Sequence, residues 1–148
     1  MSEASLYIID ASIVARWYLA SPPYLALARQ VRADYQASRI DLTAPDNLRI
    51  EVGGALHQAM RARFIRSEDS ETWYNEFLDW NLPLVETADL LRPAYRLSLR
   101  YGCSFYDAIY LALAYQVNSP FLHADLRLHN ALAGRFPLER WIEDYRTP

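Results

Sequence analysis

The chain has 148 residues, of which 52% are hydrophobic, and a formal net charge of −3. This length predicts a single domain over residues 1–148 with enough apolar residues for a buried core. All 15 basic residues are Arg and there is one Cys, which excludes P-loop proteins, Schiff-base enzymes, an intramolecular disulfide and a Cys-rich zinc site.

Short apolar runs alternate with segments of helical periodicity along the chain. Strands are predicted over residues 6–9, 41–44, 82–85 (an edge strand or a strand start because of Pro83), 121–122 and 138–145. Helices are predicted over 12–18, 25–35, 88–101, 104–117 and 126–133, over a segment that Asp46 caps, and over an aromatic segment that begins at Ser67. This order predicts an α/β layered domain with a mostly parallel sheet.

Four acidic residues occupy positions where a buried charge is costly. Asp10 directly follows one predicted buried strand, and Asp125 closely follows another. Glu51 lies on the apolar face of its helix, and Asp107 lies in the first turn of the most apolar helix. Strand carboxyl ends and the amino ends of the following helices share one edge of a parallel sheet. The four acids are therefore predicted to converge there.

Clustered carboxylates must either take up protons or bind a cation. A site with oxygen ligands alone favours Mg²⁺ or Mn²⁺, which can activate water and stabilise a phosphodiester transition state. Each acid also has a purely structural interpretation, and the sequence leaves these open. Asp107 completes a capping box with Ser104, Asp125 caps the short helix that follows it, Asp10 is a solvated turn residue, and Glu51 is a paired core acid.

The segments around these acids resemble one known family. Residues 7–17, 104–114 and 121–128 are similar in order and spacing to the acidic motifs of PIN domains, specifically the ribonuclease toxins of bacterial VapBC toxin–antitoxin pairs. The helix with Glu51 resembles the segment that carries the second acid of that family, and the resemblance spans nearly the whole chain. It implies a PIN-like fold, which is a three-layer α/β/α sandwich with a central, mostly parallel sheet. It also implies a homodimer, an Mg²⁺- or Mn²⁺-dependent endoribonuclease activity and a cognate antitoxin that blocks the acidic pocket within a hetero-oligomer.

The resemblance also implies roles for individual residues. The catalytic and metal-binding acids are Asp10, Glu51, Asp107 and Asp125. Ser12 and Ser104 are the expected supporting residues. Affinity for RNA follows local phosphate contacts rather than net charge, so Arg16 and Arg127, which lie near the acidic motifs, are predicted to bind RNA. Arg16 is the better candidate because it lies one helical turn past the Asp10 motif, whereas the Arg cluster at 61–66 is predicted to be solvated.

Two positions depart from the family pattern. His123 stands where the family usually has Thr or Ser, and Gly54 stands where it often has Asn. We expect His123 either to contact a phosphate or metal-bound water or to be a tolerated substitution, and Gly54 to allow close helix packing. These departures support an alternative function, a catalytically weak or inactive PIN-like scaffold that binds its antitoxin or RNA.

Further hypotheses concern enzyme class, partners and location. A haloacid-dehalogenase-like phosphatase is similar only at Asp10–Val14 and lacks the second Asp and the Lys that its chemistry needs. The aromatic segment with Trp73, Tyr74, Phe77 and Trp80 either forms an exposed surface for a dimer or antitoxin, or contributes Trp73 and Phe77 to the core. The first ten residues lack the pattern of a signal peptide, so we expect a cytoplasmic protein without a membrane segment.

Overall fold

A five-stranded parallel sheet forms the centre of the computed structural model, which describes residues 4–148. The strand order is β3-β2-β1-β4-β5 and every neighbouring pair is parallel. The strands are β1 (Ser5–Ile9), β2 (Ile40–Pro45), β3 (Leu84–Val85), β4 (Phe121–His123) and β5 (Glu139–Trp141). The predicted parallel sheet is confirmed, with β3 and β5 at its edges.

Helices connect the strands and cover both faces of the sheet. They are α1 (Ala11–Tyr18), α2 (Leu25–Gln36), α3 (Leu48–Arg61), α4 (Ser67–Asp79), α5 (Leu91–Tyr101), α6 (Phe105–Val117) and α7 (Leu126–Leu132), with 3₁₀ turns at Ala88–Leu90 and Ile142–Asp144. Right-handed crossovers in this strand order place α1–α4 on one face and α5–α7 on the other. The predicted α/β/α sandwich is confirmed. No helix within residues 4–148 is long and apolar enough to cross a membrane.

The two central strands owe their positions to continuous apolar runs. Ile8 and Ile9 of β1 and Phe121 and Leu122 of β4 have no exposed surface, as expected for strands covered on both faces. Ile9 pairs with Leu122, so both strands end at the same edge of the sheet. The residues that follow them are therefore placed side by side at that edge.

Three predicted boundaries differ from the structure. Contrary to the prediction, Asp46 is not the N-cap of α3. Its N–H donates to the carbonyl of Val85 and extends the pairing of β2 with β3, so the N-cap is Asn47 and the helix begins at Leu48. The predicted helix over 88–101 starts as a 3₁₀ turn, with Pro93 in the first turn of α5, where no helical N–H partner is needed. Of the strand predicted over 138–145, only β5 (Glu139–Trp141) forms a strand, and the chain continues as a 3₁₀ turn over Ile142–Asp144.

The aromatic residues of α4 pack inward. Phe77 is buried in the core, and the ring of Trp80 stacks on that of Trp17 with centroids 5.0 Å apart. Trp73 stacks on Tyr18 with a centroid separation of 6.4 Å. Of the two interpretations of this segment, the structure favours the one in which it contributes to the core.

A close helix–helix approach occurs at Gly53 rather than at Gly54, where it was expected. A Cβ atom on Gly53 would lie 2.8 Å from Cζ of Tyr74, whereas nothing lies within 4 Å of the corresponding position on Gly54. The Tyr74 hydroxyl also donates to the carbonyl of Arg49 at 2.7 Å, which joins α4 to α3. The expectation for Gly54 was therefore wrong by one residue.

Candidate active site

Asp10 lies at the carboxyl end of β1 and begins α1 as its N-cap. Its side chain is only 6% exposed, and its Oδ2 accepts a hydrogen bond from the N–H of Ser12 at 3.2 Å. Burial raises the pKa of Asp10 above its ordinary value, and the charge of Asp125 adds to this, while hydrogen bonds from Ser12 act in the opposite direction. The expected solvated turn residue is instead a buried carboxylic acid that resists ionisation.

Ser12 holds the ends of the two central strands together. Its Oγ accepts a hydrogen bond from the N–H of Ala124 at 2.9 Å, a contact between residues 112 positions apart. The N–H of Asp10 also donates to the carbonyl of Leu122 at 3.1 Å. These bonds fix the backbone of Asp10 beside the segment that leads to Asp125, which is the geometry a supporting residue would need.

Glu51 lies in the first turn of α3 and faces α6. Its Oε2 accepts a short hydrogen bond of 2.6 Å from the hydroxyl of Tyr110, and its Oε1 accepts one of 3.2 Å from Nδ2 of Asn47. Burial raises the pKa of Glu51 to about 7, and the nearby charges of Asp10 and Asp107 add to the increase. Glu51 is thus both a paired acid, as its structural interpretation required, and a neighbour of two other carboxylates.

Tyr110 and Asn47 are site residues that sequence reasoning missed. Tyr110 is fully buried on the apolar helix α6, one turn after Asp107. A buried phenol needs a hydrogen-bond acceptor, so a Tyr within such an apolar helix was an available signal. Asn47 had no comparable signal, because Asp46 seemed the better helix cap.

Asp107 lies in the first turn of α6 beside its cap, Ser104. The Ser104 Oγ accepts a hydrogen bond from the N–H of Asp107 at 3.0 Å, which confirms the predicted N-cap. Burial raises the pKa of Asp107 to about 6, followed in size by the effect of the Asp10 charge, while a hydrogen bond from Ser104 lowers it. Capping and membership of the acidic edge are therefore compatible at this residue.

Asp125 caps α7 with one oxygen and leaves the other free of the cap. Its Oδ1 accepts hydrogen bonds from the N–H groups of Arg127 at 3.0 Å and Leu128 at 3.4 Å. The structural interpretation of Asp125 as a cap is confirmed. Its charge also raises the pKa of Asp10 and Asp107, so all four acids are within electrostatic reach at the same edge.

Two surface depressions adjoin Asp125, one of which also adjoins Asp107, whereas Asp10 and Glu51 line neither. One, of about 560 Å³, is lined by Ser104, Asp107, Asp125 and Arg127 among others. The second, of about 310 Å³, is lined by Asp125, Ser12 and Arg16 among others. Asp125 borders both depressions, and we call the two together the acidic groove, which we define by these six residues.

The two arginines predicted to bind RNA differ in their surroundings. Arg16 is half-buried; its Nη1 donates to the carbonyl of Ser12 at 2.6 Å and its Nε to that of Pro23 at 2.9 Å. Burial lowers the pKa of Arg16. Arg127 is exposed and borders the acidic groove. Arg127 is therefore freer to contact a ligand, whereas much of Arg16 is committed to holding the backbone.

The donor set of the acidic edge suits a hard divalent cation. It consists of carboxylates whose ionised forms are disfavoured by burial and by one another, which is the condition that a bound cation relieves. Within residues 4–148, however, only His123, His129 and Glu139 place three ligand atoms within 4.8 Å of one another. A cation shared by three of the acids would therefore require their side chains to move closer together.

His123 has no exposed surface and lines neither depression. Its Nε2 lies 2.7 Å from Oε2 of Glu139, and the same oxygen lies 2.9 Å from Nδ1 of His129. The expected contact of His123 with a phosphate is therefore not available in this structure, because burial keeps the ring away from the groove. Glu139 and His129 were not predicted as neighbours of the site.

Comparison with known proteins places this geometry in a family. The sequence profile of the PIN domain matches residues 7–133. The chain belongs to the PIN domain family. It is also 27% identical over 132 residues to Ribonuclease VapC3 of Pyrobaculum aerophilum, covering 88% of this chain and 94% of that protein. The resemblance to VapC-type PIN domains is thus confirmed.

A solved structure shares the fold. PAE2754 from Pyrobaculum aerophilum superimposes with a TM-score of 0.66, covering 97% of this chain and 93% of that one at 19% sequence identity. At this level of identity the similarity concerns the fold alone. It agrees with the PIN domain architecture of the five-stranded parallel sheet.

Proposed function

We propose that this PIN domain is a divalent-metal-dependent endoribonuclease that acts as the toxin of a type II toxin–antitoxin pair. The main support is the acidic edge, where burial and mutual repulsion raise the pKa of Asp10, Glu51 and Asp107 beside Asp125. A cluster of this kind is costly for the fold alone, and such clusters are enriched at functional sites. The name of the relative, Ribonuclease VapC3, supports the same activity.

Mg²⁺ or Mn²⁺ would be held by Asp10, Glu51, Asp107 and Asp125. When bound, such an ion lowers the pKa of water and offsets negative charge on a phosphodiester. Asp10 and Asp125 each use one oxygen in a backbone hydrogen bond, which leaves Oδ1 of Asp10 and Oδ2 of Asp125 for a ligand. Tyr110 and Asn47 orient the carboxylate of Glu51.

The thiol of Cys103 is not a suitable nucleophile. Cys103 lines the larger depression, but burial raises the pKa of its thiol and the charge of Asp107 adds to this, so the reactive thiolate is disfavoured. The hydroxyl oxygens of Ser12 and Ser104 accept hydrogen bonds from the N–H groups of Ala124 and Asp107, which is a structural role. Hydrolysis with water as the nucleophile is therefore the reaction that these residues support. When water attacks phosphorus and the 3′-oxygen leaves, the products carry a 5′-phosphate and a 3′-hydroxyl. Attack by the ribose 2′-hydroxyl, with the 5′-oxygen leaving, would instead leave a 2′,3′-cyclic phosphate and a 5′-hydroxyl.

The proposed partners are RNA, a cognate antitoxin and a second copy of the chain. Arg127, at the border of the acidic groove, is the better placed of the two predicted RNA-binding residues, and the acidic groove is the surface that an antitoxin tail would block. For the homodimer, Leu91, Tyr95 and Leu99 form an exposed apolar row along α5. Sedimentation at micromolar concentration tests the dimer, and a monomer would count against it.

Cleavage of total RNA tests the activity. We expect fragments with 5′-phosphate ends in Mn²⁺ or Mg²⁺ and none with EDTA. Asp107→Asn should abolish cleavage, whereas Asp79→Asn, the same substitution at an exposed position at the end of α4, should not. Cleavage that is indifferent to EDTA and to Asp107→Asn, or that yields 2′,3′-cyclic phosphates, would contradict the proposal.

The inactive-scaffold alternative rested on His123 and Gly54. His123 is buried away from the groove, and the position of a Cβ on Gly54 is open, so neither departure removes one of the four carboxylates. Calorimetric titration with Mn²⁺ distinguishes the two functions. Binding by the wild type that Asp10→Asn weakens supports the nuclease, and no binding by the wild type supports the scaffold.

A further inference from the structure

A second polar cluster lies directly behind the acidic edge. It consists of His123 at the end of β4, Glu139 at the start of β5 and His129 on α7. His123 Nε2 and His129 Nδ1 both lie within hydrogen-bond distance of the same oxygen of Glu139, at 2.7 and 2.9 Å. His123 lies two positions before Asp125, one of the four acids of that edge.

Hydrogen bonding determines which nitrogen of His123 carries the proton. The N–H of Asp125 donates to Nδ1 of His123 at 3.2 Å, so Nδ1 must be the unprotonated nitrogen. The proton then lies on Nε2 and is donated to Glu139. Glu139 suits this role, because burial raises its pKa but the hydrogen bonds from His123 and His129 outweigh burial and lower it.

Aromatic packing fixes the direction of the ring. His123 stacks on Phe121 with centroids 5.0 Å apart and planes only 4° from parallel, and Trp141 meets it edge-on at 5.3 Å. His129 stacks on the same Trp141 at 4.3 Å and donates to Glu139 from the other side. The imidazole therefore has little freedom to rotate, and Nδ1 is held towards the backbone of Asp125.

We propose that Glu139 and His123 position Asp125 for ligand binding, a role that rests on Asp125 belonging to the proposed metal site. Glu139 selects the Nε2–H form of His123, and Nδ1 of that form holds the N–H of Asp125. This contact fixes the backbone from which the Asp125 carboxylate caps α7 and reaches the groove. His123 is thus a positioning residue.

The same three residues could be taken for a metal centre, because two His and one Glu are common zinc ligands. A metal ion on Nε2 of His123 would require the proton to lie on Nδ1. That proton would face the N–H of Asp125, and two donors would oppose each other. The hydrogen-bond pattern therefore favours the positioning role over a metal centre.

Two substitutions of His123 separate its two nitrogens. In His123→Asn the amide oxygen lies near the place of Nδ1 and still accepts from Asp125. In His123→Gln the amide lies near the place of Nε2, so contact with Glu139 is kept and the acceptor for Asp125 is lost. We expect His123→Gln to weaken Mn²⁺ binding about tenfold and to reduce RNA cleavage, with His123→Asn closer to wild type.

Thermal unfolding of both variants checks that each is folded. Equal losses in the two variants, with cleavage still abolished by Asp107→Asn, would overturn the positioning role and leave the nuclease proposal intact. If wild-type protein binds no Mn²⁺ and Asp107→Asn changes nothing, both proposals fall.

Nitrogen NMR of the wild-type protein tests the proposal without any variant. Long-range proton–nitrogen spectra should show the His123 ring protonated on Nε2 and unprotonated on Nδ1. The opposite form would overturn the proposal. So would stoichiometric Zn²⁺ binding that shifts the His123 signals, persists in Asp10→Asn and is lost in Glu139→Gln, because it would make the cluster a metal centre.

Discussion

Two polar clusters meet at the carboxyl end of β4, and although burial raises the pKa of carboxyl groups in both, the net pKa shifts are opposite. In the acidic edge the pKa of Asp10, Glu51 and Asp107 is raised, because burial is reinforced by carboxylates of the same charge. In the second cluster the pKa of Glu139 is lowered, because two imidazole groups outweigh burial. A carboxylate whose charge is balanced by neighbouring side chains, such as Glu139, is suited to hold other residues in place. Carboxylates whose charges are not balanced, such as those of the acidic edge, are suited to bind a cationic ligand.

The largest expected effect comes from neutralising one acid in each cluster. Asp10→Asn should reduce metal-dependent cleavage about a hundredfold or more, because it removes a carboxylate from the cation site. The same substitution should make the metal-free protein more stable, since it removes a charge that burial disfavours. Glu139→Gln should instead destabilise it by about 1–3 kcal/mol, because the buried imidazole of His123 and the half-buried imidazole of His129 lose a charged acceptor.

Urea unfolding in EDTA measures both stabilities, and cleavage of total RNA in Mn²⁺ measures activity. The comparison depends on opposite signs of the two stability changes. If Asp10→Asn and Glu139→Gln destabilise the protein equally, the negative charge of Asp10 must be balanced by contacts other than those described, and the comparison fails.

Next in size is the dependence of stability on pH and metal. The pKa of Glu51 in the folded protein is about 7 against an ordinary value of 4.5, so between these pH values the folded state binds more protons than the unfolded state. The stability of the metal-free protein should therefore fall as pH rises through this window, by about 1–3 kcal/mol from Glu51. Asp107, with a pKa of about 6 against 3.8, acts in the same direction at lower pH.

Thermal unfolding at pH 5 and pH 8, with EDTA or Mn²⁺, checks this prediction. Mn²⁺ should raise the melting temperature more at pH 8, because a cation binds the ionised acids, and Glu51→Gln should flatten the metal-free profile. Stability that increases between pH 5 and pH 8 in EDTA would contradict the assigned pKa shifts.

Much of this arrangement could be predicted from the sequence, because it depends on local patterns. The apolar run of β1 ends at Asp10, the run of β4 ends just before Asp125, and Ser104 caps a helix three residues before Asp107. Parallel topology then places such positions at one edge. Local pattern and topology were sufficient for the sheet and for the neighbourhood of the acids.

The partners of these residues could not be predicted in the same way. Tyr110 meets Glu51 across 59 positions, and Glu139 meets His123 only because β5 pairs with β4. Such contacts depend on side-chain direction and strand register, which periodicity does not give. The start of α3 at Leu48 was missed for a related reason, since β2 is prolonged by a bond to β3 that no local signal reveals.

A smaller effect is expected from the hydrogen bond that joins the acidic edge to α6. Tyr110→Phe removes the 2.6 Å bond that favours the charged form of Glu51, so the pKa of Glu51 should rise further. Mn²⁺ affinity at neutral pH should fall about fivefold, the equivalent of about 1 kcal/mol. Tyr106→Phe, the same change at an exposed position of the same helix, serves as the control.

Calorimetric titration at several pH values measures this effect. The loss in Tyr110→Phe should shrink at higher pH, where Glu51 is ionised in both proteins. A loss that is constant over the whole pH range would instead indicate that Tyr110 acts only through packing.

The smallest effect concerns the positive charge beside the acidic groove. Arg127 is exposed at its border, whereas Arg61 is exposed at the other end of α3 from Glu51. In an Asp107→Asn background, where RNA should bind without cleavage, Arg127→Ala should reduce the slope of log affinity against log salt by about 0.7, the value for one phosphate contact to a single strand. Arg61→Ala should leave the slope unchanged. Equal slopes in all three proteins would mean that RNA crosses the groove without Arg127, and that the net charge of −3 is offset elsewhere on the surface.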